Sequence, residues 1–143
     1  MFRASWVAAL LALGLCAGVV GCGDEGDEAS AGADELEVEL VEQASSGQDG
    51  TATFTSLGGD RTRIVLELTN PPEVPQPAHV HSGSCDDLGD PVAALTDVTD
   101  GRSETDVEMS LDELAQGDLV IHAHQSEAEF DVSVACAPVR AGS

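Results

Sequence analysis

The sequence predicts an all-β domain, an antiparallel Greek-key sandwich or barrel. Two observations carry that expectation. Beyond residue 35, apolar residues recur with a period of two rather than 3.6, the period of strands with one buried face. The runs are short, about eight in number, and separated by Gly, Asp and Pro turns, which is the spacing of a small sandwich.

Taken in order, Leu36, Val38 and Leu40 alternate with Glu37, Glu39 and Val41 in a first strand. Residues 45–50, Ser-Ser-Gly-Gln-Asp-Gly, supply the turn after it. Ala52 and Phe54 alternate with threonines in a second strand, and Gly58-Gly59-Asp60 turns the chain again. Residues 61–69 are β-branched and aliphatic, a third strand. Pro71, Pro72, Pro75 and Pro77 then make a stiff loop that neither a helix nor a central strand tolerates. That loop is long enough to cross one end of a Greek key. Further strands are expected over 78–81, 92–95, 104–109, 118–124 and 130–136, with Asp100-Gly101 as a hairpin turn. Leu111-Asp112-Glu113-Leu114 after Ser110 reads as one capped helical turn.

The N-terminus has a different logic. Arg3 precedes an uncharged apolar run over 6–20, shorter than the roughly 18–20 residues of a spanning helix. Val19-Val20-Gly21-Cys22 closes it. This is the layout of a secretory signal, and the tetrapeptide resembles the bacterial lipobox. The resemblance implies a lipoprotein signal peptide over 1–21, with Cys22 as the lipidated first residue of the mature chain. It would carry diacylglycerol and a further acyl chain of the palmitate type, and several chains together give stable anchoring. Residues 22–35 are acidic, Gly- and Ala-rich and without apolar period, a disordered tether. The folded domain is then 36–139. Its location is the extracytoplasmic side of the cell membrane.

Net charge is −22, and the chain has no lysine. Binding to nucleic acid or to an anionic bilayer through charge is excluded; metal ions or a cationic envelope partner fit better. Of the four cysteines, Cys16 leaves with the signal and Cys22 takes lipid. Cys85 and Cys136 remain as an even pair in an oxidising compartment, where a disulfide is expected. No nucleophile–base set or phosphate loop is present, so no catalytic residue is assigned.

All four histidines fall in two H-x-H pairs, His79-Val80-His81 and His122-Ala123-His124. On a strand, such pairs project to one face, roughly 6.5–7 Å apart. Leu119, Ile121 and Ala123 read as core, so His122 and His124 point away from it. If the two strands are neighbours, three or four imidazoles converge on one outer face. A nitrogen-rich set suits Cu(II) first and Zn(II) second; against it stands the reading of solvated or hydrogen-bonded histidines on a strand surface.

Ala78-His-Val-His-Ser-Gly-Ser-Cys85 resembles the first copper-ligand strand of Cu/Zn superoxide dismutases. Gly117-Asp-Leu-Val-Ile-His122 resembles a later ligand strand of that family, and Val134-Ala-Cys136-Ala-Pro-Val139 its C-terminal disulfide strand. The same stretch is also similar to the CHRD (chordin-type) module. The dismutase resemblance implies copper on His79, His81 and His122, with a Cys85–Cys136 disulfide. His124 has no counterpart there and would fill a fourth position. Departures are large. No histidine lies between Cys85 and Asp118, so no zinc site is expected, and the electrostatic loop is reduced to residues 125–129. Ser133 stands where the family has its substrate-attracting arginine. The expectation is therefore a non-enzymatic module that holds copper. A zinc-free copper dismutase and a CHRD-like protein-interaction module are the alternatives.

Overall fold

The alternation read in the first strand is realised in β1 (Glu35–Glu42), where Val38 and Leu40 are buried and Glu37 and Glu39 face solvent. The computed structural model describes residues 34–140. The expected signal peptide, Cys16, Cys22 and the tether up to residue 33 lie outside the described residues. β2 (Gly50–Ser56) and β3 (Thr62–Leu68) follow as a meander. The proline loop leads to β4 (Ala78–Ser84) and β5 (Asp87–Ala94). A turn in which Asp100 and Gly101 both have positive φ opens β6 (Arg102–Val107). Helix α1 (Leu111–Gln116), β7 (Leu119–His124) and β8 (Ser133–Pro138) complete the chain.

The strands form one antiparallel curled sheet in the order β5-β4-β7-β8-β1-β2-β3-β6. The proline loop carries the chain from β3, near one edge, to β4, near the other, as the Greek-key expectation required. β1 joins the two halves: Leu36 to Leu40 pair with β2, whereas Val41 and Glu42 pair with Cys136 and Ala135 of β8. Curling brings the inner faces together over Phe54, Ile64, Leu66, Val80, Leu114 and Ile121. Burial of such side chains is the main favourable term in folding. The single helical turn is capped as read. Ser110 Oγ accepts from the Glu113 amide at 3.2 Å, and the Glu113 carboxylate accepts from the Ser110 amide at 2.9 Å, a reciprocal capping box.

Several boundaries differ from expectation: β4 runs on to Ser84 rather than ending at residue 81, and β6 spans Arg102–Val107 rather than 104–109. β5 begins at Asp87 rather than at residue 92, because it is an exposed edge strand containing Pro91 and has no apolar alternation to read. β8 begins at Ser133, and residue 130 belongs to the preceding turn. Phe130 is thereby freed for another role.

A disulfide joins Cys85 to Cys136 across a separation of 51 residues, tying the β4–β5 connection to β8. Closing a loop of that size constrains the unfolded chain by roughly 2–5 kcal/mol. Replacing both cysteines with serine is expected to lower the urea midpoint by a corresponding amount. A midpoint that does not move would show that the bridge contributes nothing to stability.

Candidate metal centre

β4 and β7 are hydrogen-bonded neighbours, with His79 opposite His122 and His81 opposite Val120. Ala78 and Val80 on β4, and Ile121 and Ala123 on β7, belong to the apolar core. The period of two therefore sends all four imidazoles to the opposite face, as the spacing implied. Their ring centroids lie 4.4–6.3 Å apart along the chain of neighbours His122–His124, His79–His124, His81–His122, His79–His81 and His81–His124.

Of the alternative reading, the solvated surface is not found, whereas hydrogen bonds are made by His81, His122 and His124. His81 is 8% exposed, His122 1% and His124 4%; only His79 is half-buried. Two segments roof the face. The stretch after Cys85 folds back so that the Gly89 carbonyl reaches His81 Nδ1 at 3.0 Å. A Cβ at Gly89 would run into Ser82, so glycine is what lets this backbone come so close. On the other side, the 125–132 turn lays Phe130 flat on His124, with centroids 3.9 Å apart and planes 17° off parallel. The same ring meets His79 edge-on at 5.6 Å.

These contacts fix which nitrogens are available. A carbonyl only accepts, so His81 Nδ1–H donates to Gly89 and His124 Nδ1–H donates to the Phe130 carbonyl. Both Nε2 atoms then carry lone pairs. His122 Nε2 shares a 2.6 Å hydrogen bond with Ser133 Oγ. Four of the other five ring nitrogens, His79 Nδ1, His81 Nε2, His122 Nδ1 and His124 Nε2, are buried without a hydrogen-bond partner. Each unsatisfied buried polar atom costs about 1–3 kcal/mol, and native interiors rarely keep them. Four in one place point to a ligand.

One nitrogen from each of His79, His81 and His124 lies within 4.8 Å of the others. Three donors at that spacing can share one ion at metal–nitrogen distances near 2 Å. His122, which the dismutase resemblance made a ligand, lies outside this trio, and His124, which had no counterpart, lies within it. His122 Nε2 is taken instead by the Ser133 hydroxyl, at the place where the β7–β8 register shifts and Val134 is the extra residue on β8.

The chain matches no protein-family model, no curated protein and no solved structure.

Electrostatics favour the ligand state. Burial pushes the His122 imidazole down to about 3, with His124, His81 and His79 adding repulsion. His79 is lowered by burial and by His81, opposed by Asp97 and Glu127. His124 is lowered by burial, opposed by its bond to the Phe130 carbonyl. Neutral imidazole is the form that binds metal. The arginines at 61, 63 and 102 are engaged elsewhere, with Asp106, Glu108, Glu104 and Glu67 on the β3–β6 side.

Proposed function

We propose that this domain binds one copper ion between His79, His81 and His124, and that a lipid on Cys22 holds it on the extracytoplasmic side of the cell membrane. The observation that carries the reading is that His79, His81 and His124 each offer one nitrogen within 4.8 Å of the others, on a face where four ring nitrogens are buried without a partner. Its support extends outward. Two of the three rings donate their second nitrogen to a backbone carbonyl, the arrangement that orients histidine ligands and raises their basicity.

Copper is favoured over other divalent ions on chemical grounds. The donors are all imidazole, without thiolate or carboxylate, and nitrogen sites bind Cu(II) most tightly in the first-row series. Anchoring rests on Arg3, the apolar run and Val19-Val20-Gly21-Cys22. An export route also supplies the oxidising compartment that a Cys85–Cys136 bridge needs. The module is read as non-enzymatic. The charges acting on the histidines are carboxylates, Asp97 and Glu127 on His79 and Asp131 on His124, and these repel an anionic substrate such as superoxide.

Copper titration of the full-length protein in non-ionic detergent, followed by visible and EPR spectra, tests this. One equivalent is expected to bind with nitrogen hyperfine structure and without superoxide turnover. Affinity no tighter than millimolar would sink the copper reading. Tight binding with turnover would replace the binding module with a zinc-free dismutase.

A further inference from the structure

Of the four imidazoles, only His79 is not fully buried, so an ion approaching the trio from solvent arrives on the His79 side. That side has a definite shape. The proline loop and the 125–132 turn face each other across a cleft of about 520 Å³, walled by Val74 and Pro75 on one side and Glu127, Ala128 and Glu129 on the other, with Asp97 between them. Phe130, 42% exposed, bridges from this turn to the rings of His79 and His124. The charged lining of the cleft is of one sign: Asp97, Glu127 and Glu129, with no arginine among the lining residues and no lysine in the chain. The fields of Asp97 and Glu127 reach His79 itself.

A cleft with one sign of charge and low-dielectric walls focuses the field and raises the local concentration of counter-charged ligand. Phe130, next in the chain after the Glu129 wall, lies against His79 and His124, and His81 Nε2 and His124 Nε2, in side chains more than nine-tenths buried, have no partners. We infer that the cleft is the loading mouth of the metal site, and that Asp97 and Glu127 make it selective for copper delivered as a cationic complex over copper held in an anionic chelate. The carboxylates draw the cation toward His79, whose ring they act on directly. The inference rests on the copper reading of the site and adds the chemical class of its supply.

Stopped-flow uptake by the full-length protein in non-ionic detergent separates the two claims. Copper(II) is presented as a cationic ammine complex or as an anionic citrate complex, at low and at high salt. The native protein is expected to load faster from the ammine complex, with the advantage shrinking as salt rises. Asp97→Asn with Glu127→Gln is expected to lose roughly three- to tenfold in rate and most of the salt dependence. Asp97→Glu with Glu127→Asp should keep both. Glu37→Gln with Glu39→Gln, the same charge change on the exposed face of β1, should stay close to native. Equal rates in the two neutralised variants, or citrate loading as fast as ammine loading, would overturn the mouth and leave the site standing. A native protein that takes up no copper at equilibrium would overturn both.

Discussion

Alanine at His79, His81 or His124 is expected to lower copper affinity by well over 100-fold, whereas alanine at His122 costs less. The first three each contribute one nitrogen to the group lying within 4.8 Å. Losing such a donor removes a metal–ligand bond and leaves two nitrogens that cannot hold the ion alone. The yardstick is the roughly 10–100-fold that loss of an outer-sphere partner costs, so a direct ligand must exceed it. His122 lies 4.4 Å, ring to ring, from His124 and hydrogen-bonds Ser133. Its removal leaves the trio intact and disturbs only what packs beside it. Competition against a chelator of known affinity, with each variant checked for its fold by circular dichroism, gives the ranking. The decisive comparison is His124→Ala against His122→Ala. Near-native affinity in His124→Ala, with a large loss in His122→Ala, would restore the ligand set implied by the dismutase resemblance and sink the one drawn from the geometry.

That comparison also marks where the sequence stopped being informative. Strands with one buried face were legible because Val38, Leu40, Ala52 and Phe54 alternate with polar neighbours, and burial in β1 and β2 follows that alternation. The Asp100-Gly101 turn and the Ser110 cap were legible because local chemistry decides them. β5 was misplaced because an edge strand exposed on both faces has no apolar period to betray it. Phe130 was expected to begin the last strand, but it lies in the preceding turn and packs on His124. The shared face of the four histidines followed from the spacing, whereas its burial did not. Burial depends on Gly89 and Phe130, brought over the face by loops whose course no periodicity encodes. The exchange of His122 for His124 was not legible either, because the His122 ring is tied to Ser133 of the neighbouring strand, a tertiary contact that a period of two does not encode.

Acidification is expected to destabilise the metal-free domain steeply, from a pH well above the carboxylate range. His122 is nearly inaccessible, and its imidazole is held down to about 3 against an ordinary value of 6.5. In the unfolded chain it takes up a proton as pH falls through 6.5; in the folded chain it does not until about 3. The unfolded state thus binds more protons throughout that window, and stability must fall as pH falls. At about 1.4 kcal/mol per pH unit, His122 alone removes roughly 4–5 kcal/mol across the full window and about half of that by pH 4.5. Against the 5–15 kcal/mol that holds a typical domain folded, this is a large share. His79 and His124 shift in the same direction and add to it. The paired carboxylates Asp106 and Glu113, held low by Arg63 and by Ser110, lose their stabilisation only nearer pH 4 and below. Urea unfolding in excess chelator between pH 7 and 5 therefore isolates the histidines: the midpoint should fall with little change in slope against denaturant. His122→Gln should flatten the trend, since it removes the largest buried titration. One equivalent of copper should raise the midpoint most at pH 7 and progressively less as protons compete for the same nitrogens. A midpoint constant from pH 7 to 5 would mean that the histidine face admits water, and the buried, unpartnered lone pairs on which the metal site rests would lose their support.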